Sequence, residues 1–315
     1  MSITSDWREL DAASRERAYS PSSCIGGNYQ PFIAAYAERS AAARARLRSW
    51  QELSYGSAPS QRLDLFLPAG AAPRAAQGAA TLATQSNPSC AVPHPLPALL
   101  VFIHGGYWQE LSKRESSFAA SDAVEHGLAF AALDYTLAPQ ASVAEMVQEC
   151  RQALRWLHQN AARLGFDAQR IVVAGSSAGA HLAAMCALPQ ADAAAGAAPG
   201  QPVQATVLVS GIYELEPLLG TSINTALGLT TESSRAISPA LLPLAGFPPS
   251  VVCWGEIETD EFKRQSRDFA AALQRSGTPC DVFQVPQRNH FDIILDLADP
   301  ATLLGRAVAG LVSSI

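Results

Sequence analysis

The chain alternates short, continuously apolar runs with longer stretches in which apolar residues recur every three to four positions. LLVFI (99–103), LAFAALDY (128–135), RIVVAG (170–175), QATVLVSG (204–211) and SVVCWG (250–255) are runs of the first kind. Their centres are continuously apolar rather than alternating with charged residues, so they predict strands buried on both sides. Residues 142–164 are the clearest stretch of the second kind. Val143, Met146, Val147, Cys150, Leu154, Leu157, Ala161 and Leu164 share one helical face, Ser142 and Glu145 have capping-box spacing, and Gly165 stops the helix. A further helix is predicted over 261–274, a last strand over DVFQVP (281–286), and a terminal helix over 293–312, interrupted near Pro300. QELSYG (51–56) and QRLDLFLP (61–68) read as a hairpin at a sheet edge. Strands alternating with helices imply an α/β fold with a mostly parallel sheet covered on both faces.

The remaining segments are set apart by composition. Residues 6–50 are Ala/Arg-rich and mostly helical in pattern, broken around 21–27, and form an N-terminal extension. The three Arg of AAARARLRSW (41–50) read as a solvated helix face. Residues 69–96 are low-complexity Ala, Pro, Gly and Ser, read as one long surface loop. Residues 214–248 contain no strand pattern and follow a strand end, where a cap would cover a site. The expected organisation over 1–315 is one α/β domain carrying these three additions.

Composition narrows the function. With 48% hydrophobic residues the chain can bury a large core, and its net charge of −6 gives no reason to expect nucleic acid as a partner. No run approaches the 18 or so apolar residues of a membrane span, and the N-terminus lacks an apolar signal segment. The six Cys have no paired spacing and read as reduced residues of a cytoplasmic protein. No cofactor or metal is expected. The expected partner is a small-molecule substrate, with no nucleic acid or membrane, and a homodimer is compatible with the sequence.

The chemistry centres on IVVAGSSAG (171–179), a strand-like run ending in Gly-x-Ser-x-Gly with Ser177 at its centre. A serine becomes a useful nucleophile on a sharp strand-to-helix turn, with a base beside it and amide donors facing it. Gly175 and Gly179 are the small residues such a turn needs, and 180–187 (AHLAAMCA) is a good helix former. His104-Gly105-Gly106-Tyr107-Trp108 directly follows the strand LLVFI, where consecutive glycines let backbone N–H groups converge on an oxyanion. In α/β-hydrolases that loop acts with the amide after the nucleophile, here Ala178.

Of six His, His290 follows the last strand and alone fits the order Ser…acid…His. His94 lies in the low-complexity loop, His104 orders the Gly-Gly turn, His126 and His158 sit at polar helix positions, and His181 reads as a packed core residue. The acid that orients the base should lie in EIETDE (256–261). Asp260 and Glu261 are explained by a helix start, and Glu256 follows Gly255 too closely. Glu258, mid-turn, is preferred on position, with Asp260 the alternative.

HGGYWQ (104–109), GSSAGAHL (175–182), SGIYELEPL (210–218), ETDEFKRQS (258–266) and NHFDIILDL (289–297), with YSPS (19–22), resemble the arylformamidase (kynurenine formamidase) branch of the α/β-hydrolases. The resemblance implies an α/β-hydrolase fold, Ser177 as nucleophile, His290 as base and Glu258 as acid. It also implies an oxyanion hole from the amides of Gly106, Tyr107 and Ala178, and places Tyr107, Trp108 and Tyr213 near the pocket. Many eukaryotic members have Asp at the acid position. The implied reaction is metal-independent hydrolysis of a small aryl formamide such as N-formylkynurenine. A carboxylesterase for short acyl esters is the alternative, and a catalytically dead binding scaffold a more distant one.

Overall fold

The computed structural model describes residues 7–70, 95–189 and 202–315. All but the ends of the low-complexity segment 69–96, including His94, lie outside the described residues. Eight strands form one sheet: β1 (Ser49–Ser54), β2 (Arg62–Phe66), β3 (Leu99–Ile103), β4 (Ala129–Leu133), β5 (Ile171–Ser176), β6 (Ala205–Val209), β7 (Ser250–Ile257) and β8 (Cys280–Asn289). Their order across the sheet is β1-β2-β4-β3-β5-β6-β7-β8. The β1–β2 and β2–β4 pairings are antiparallel, and the pairings from β4 through β8 are parallel. The expected edge hairpin is therefore β1 and β2.

Each apolar run supplies two cores at once, because successive residues of a strand point to opposite faces. Leu99, Val101 and Ile103 of β3 join one buried cluster, whereas Leu100 and Phe102 join the other. The first face is covered by α4 (Val143–Leu164), α5 (Ala178–Ala187) and α8 (Asp260–Arg275). The second is covered by α2 (Gln30–Arg46), α3 (Ala120–Glu125) and α9 (Leu303–Ser313). In α4 the Ser142–Glu145 capping box is formed, and Gly165 ends the helix at φ 94°. The terminal helix is split, as Pro300 suggests, into a turn over Ile293–Asp296 and α9. The Arg-rich stretch 41–50 is not one helix: α2 ends at Arg46 and β1 begins at Ser49.

Two additions bear on the site. Residues 214–248 form short helical pieces, among them α6 (Asn224–Leu227) and α7 (Thr231–Ala236), with no strand. The N-terminal segment consists of α1 (Ala12–Ala18), a tight turn over Pro21–Ile25, and α2. It spans both sides of the sheet, with Tyr19 packed into the first cluster and Tyr36 into the second.

The join between β3, β5 and α5 is tight enough to exclude a methyl group. A Cβ at Gly179 would lie 2.0 Å from the Ile103 carbonyl oxygen and 2.6 Å from that of His104. Both obstacles are backbone, so no side chain can move aside. Gly179→Ala should destabilise the fold by about 3 kcal/mol or more, read as a lower Tm or as loss of folded protein. A wild-type Tm would contradict this packing.

Candidate active site

β5 ends at Ser176 and α5 starts at Ala178, so Ser177 alone makes the turn, at φ 57° and ψ −122°. A positive φ at a residue with a side chain is strained. Contacts on each side fix it: Ser177 N donates to Val209 O at 2.9 Å, and its carbonyl accepts from Ala180 N at 3.0 Å. Ala178 is the first residue of α5, so its N–H is among those a helix leaves without an internal partner. The His104–Trp108 loop packs against this turn, and a Cβ on Gly105 would lie 2.8 Å from Ser176 O. Gly106 has φ 93°, and a Cβ there would lie 2.4 Å from Glu110 O; Tyr107 and Trp108 follow at φ 50° and 61°. The chain thus turns left-handed for three residues beside Ser177, a form that aims consecutive N–H groups to one side.

Glu258 lies immediately past β7 and is buried. Its Oε2 accepts from His290 Nδ1 at 2.9 Å, while its Oε1 accepts from Ser210 Oγ and from Gly255 N, each at 2.6 Å. With both oxygens engaged, the carboxylate holds the proton of His290 on Nδ1, leaving Nε2 with its lone pair. The imidazole is also gripped edge to face by Phe262 at 4.5 Å and by Phe291 at 5.4 Å. Among the other acids, Glu256 is exposed and accepts from Gln287 N at 2.8 Å, away from the imidazole. Asp260 is exposed on the first turn of α8, where the helix cap is the Thr259 side chain. Glu261 pairs with Arg264 at 2.8 Å and accepts from Tyr19 Oη at 2.8 Å.

Ser177, His290, Gly105, Gly106 and Tyr107 line one cavity of about 330 Å³. Its walls correct the expectation that Trp108 and Tyr213 stand at the pocket. Neither lines it, and both are fully buried. Trp108 meets His181 edge-on at 5.2 Å, and Tyr213 stacks on Phe269 at 4.2 Å. Large rings at these positions have core neighbours on every side. The segment 214–248 gives the cavity only Ser222 and Ile223. The N-terminal segment gives much more, including Tyr19, Pro21, Tyr29, Ile33 and Tyr36, and Phe102, Phe118, Phe291 and Ile294 complete an aromatic and aliphatic wall. Sequence reasoning missed this role of the N-terminus, and it also missed Ser210. The spacing of Tyr29, Phe32 and Tyr36 on one face of α2 was the available signal.

Two other imidazoles are fully buried beside the site. His104 stacks on Tyr135 at 4.4 Å, and its Nδ1 lies 2.9 Å from Gly105 O. His181 Nε2 donates to Ile237 O at 2.7 Å. Burial pushes the pKa of each down to about 4. His126 instead sits exposed at the end of α3, with Nδ1 2.7 Å from Asp122 O. No group of three or more His, Cys, Asp or Glu among the described residues could hold a metal, and none of the described helices is long and apolar enough to cross a membrane.

The strand order, the strained serine turn and the acid–imidazole pair beyond it define an α/β-hydrolase. Solved structures agree. A Silicibacter protein provisionally described as a thioesterase matches 93% of this chain and 98% of its own with TM-score 0.75 and 28% identity. A bacterial heroin esterase shares the fold at TM-score 0.59 and 22% identity, over 85% and 82% of the two chains. A family model described as BD-FAE matches residues 91–241. A kynurenine formamidase of Salmo salar is 30% identical over 94% of both chains, and one of Danio rerio is 29% identical over 98% of this chain and 99% of its own. The chain belongs to the kynurenine formamidase family and is a hydrolase.

The buried imidazoles make stability depend on pH. Each folded-state pKa, about 4, lies below the ordinary 6.5, so the unfolded chain binds protons that the fold excludes as pH falls through this window. Asp134 acts oppositely: burial raises its pKa to about 6, so the fold takes up its proton first. Asp122 and Asp292 are raised by burial in the same direction as Asp134, and the two imidazoles outweigh these carboxyls. Between pH 7 and pH 5 the protein should lose roughly 2–3 kcal/mol, a fall of roughly 5 °C in Tm. An equal or higher Tm at pH 5 would contradict this.

Proposed function

We propose that the chain hydrolyses a small aryl formamide, with N-formylkynurenine the foremost substrate, through a Ser177–His290–Glu258 triad. The hydrogen bond from His290 Nδ1 to Glu258 Oε2 at 2.9 Å carries this reading, because it sets the imidazole as a base facing the cavity that Ser177 lines. Ser177 Oγ attacks the formyl carbon and its proton passes to His290 Nε2. The tetrahedral oxyanion is met by the amides of Gly106, Tyr107 and Ala178. His290 then returns the proton to the departing aryl nitrogen, which would otherwise be too basic to leave. Water, deprotonated by His290, releases formate from Ser177.

The cavity supports an aromatic leaving group. Tyr29, Tyr36, Phe118 and Phe291 line it, and such rings bind a flat arene by stacking and by area burial. The Gly105 backbone closes on Ser177, where a Cβ on the glycine would lie 3.2 Å from Ser177 Cβ, and this crowds the acyl side. A formyl group is the smallest acyl group and fits such a site. A short-chain carboxylesterase is the second reading. It is favoured by relatives named as esterases, such as the isoprenylcysteine alpha-carbonyl methylesterase of Arabidopsis thaliana, 28% identical over 78% of this chain and 57% of its own.

Replacing Ser177 with Ala should abolish turnover with Tm preserved, and Glu258→Gln should lower kcat by about 10³- to 10⁴-fold by losing the tautomer-setting acceptor. Activity surviving Ser177→Ala would refute the mechanism. Comparing kcat/KM on N-formylkynurenine and on p-nitrophenyl acetate decides the substrate class: formamidase activity is expected to dominate, and turnover of the ester alone would overturn it.

A further inference from the structure

The N-terminal segment touches the site in an ordered way: its bonds fall on chain neighbours of the groups proposed for catalysis, or on one of those groups itself. Thr259 Oγ1, next to Glu258, donates to Ala18 O at 2.6 Å. Tyr107 Oη donates to Tyr19 O. Tyr36 Oη donates to Phe291 O, immediately after His290 and 255 residues away in sequence.

The third contact reaches the base most directly. β8 ends at Asn289, and the following turn carries His290 and Phe291. Within that turn the side chains of Asn289 and Asp292 satisfy the amides: Asn289 N donates to Asp292 Oδ1 at 2.7 Å and Phe291 N to Asn289 Oδ1 at 2.8 Å. The Phe291 carbonyl is met from α2. The start of the same helix also fixes the Phe291 ring, with Tyr29, the residue that caps it, stacked on the ring at 5.3 Å and 9° and Phe32 at 5.8 Å and 21°. Phe291 in turn presents its ring edge-on to the His290 imidazole. Burial and the nearby Asp292 charge hold the Tyr36 hydroxyl well above its ordinary pKa, so it remains a donor.

Resting on the triad reading above, we propose that Tyr36 is a positioning residue: by holding the Phe291 carbonyl and, with Tyr29 and Phe32, the Phe291 ring, α2 fixes where His290 Nε2 points. Glu258 holds the Nδ1 side of the ring and Phe262 packs on it edge to face at 4.5 Å. Neither fixes the backbone from which the ring hangs, and small displacements of a base are costly in rate. The contacts on Phe291 supply that further restraint.

The test uses the full chain and the variants Tyr36→Phe and Phe32→Leu. Tyr36 lines the cavity whereas Phe32 does not, so the second variant loosens Phe291 without truncating a side chain that faces the cavity. The readouts are kcat and KM on N-formylkynurenine, and the rate at which a small methylphosphonofluoridate labels Ser177. In labelling, an O–P bond forms, fluoride leaves and the serine proton passes to His290, so the rate depends on the base but not on an aryl pocket. Per folded molecule, both variants should show kcat and labelling about five- to tenfold slower, the slower labelling being the change that a disturbed aryl wall alone would not produce. Labelling at the wild-type rate, with only Tm or KM altered, would overturn the positioning role while leaving the triad intact. Absence of labelling in the wild-type protein would refute the triad reading, and this proposal with it.

Discussion

Gly175 and Gly179 carry no side chain where three elements meet backbone to backbone. A Cβ on the first would lie 2.2 Å from Gly179 O, and one on the second 2.0 Å from Ile103 O. This close approach of β3, β5 and α5 leaves one residue, Ser177, to reverse direction, at φ 57°. Such backbone costs about 1–3 kcal/mol and persists only where its surroundings over-determine it. Here they do: β3, β5 and β6 are buried along their whole length, and α5 is buried along all ten of its residues. The core thus carries the strain that presents Ser177 to the cavity at the end of a strand.

The rest of the site is assembled around that fixed point from distant parts of the chain. The glycine loop follows β3 and leans on Ser176 and Ser177. The acid follows β7, with Ser210 from beyond β6 donating to it, and the imidazole follows β8. Neighbouring parallel strands deliver their ends to one edge of the sheet, which is why groups 113 residues apart, Ser177 and His290, line one cavity. The N-terminal segment borders the cavity and supplies much of its apolar wall.

The strands, α4, α8 and the serine turn were legible because each is a local pattern: an apolar run, a helical stripe with its cap, a motif at a strand end. The sequence preference for Glu258 over Asp260 rests only on its place after β7, whereas the burial and the three hydrogen bonds that set Glu258 apart are not local patterns. Ser210 was invisible because it meets Glu258 across 48 residues of sequence. Trp108 and Tyr213 were misplaced since the resemblance locates residues along the chain and not the direction of their rings. The covering element was sought in 214–248 for its lack of strands. The N-terminal segment proved the larger contributor, with aromatics at helical spacing whose purpose appears only when Phe291 packs beneath them.

A crystal structure of the adduct formed with a small phosphonofluoridate tests the central claim most directly. The expected result is phosphorus bonded to Ser177 Oγ, its phosphoryl oxygen within about 3 Å of the amides of Gly106, Tyr107 and Ala178, and His290 still bonded to Glu258. Phosphorus on another residue, or a phosphoryl oxygen turned away from those three amides, would contradict it.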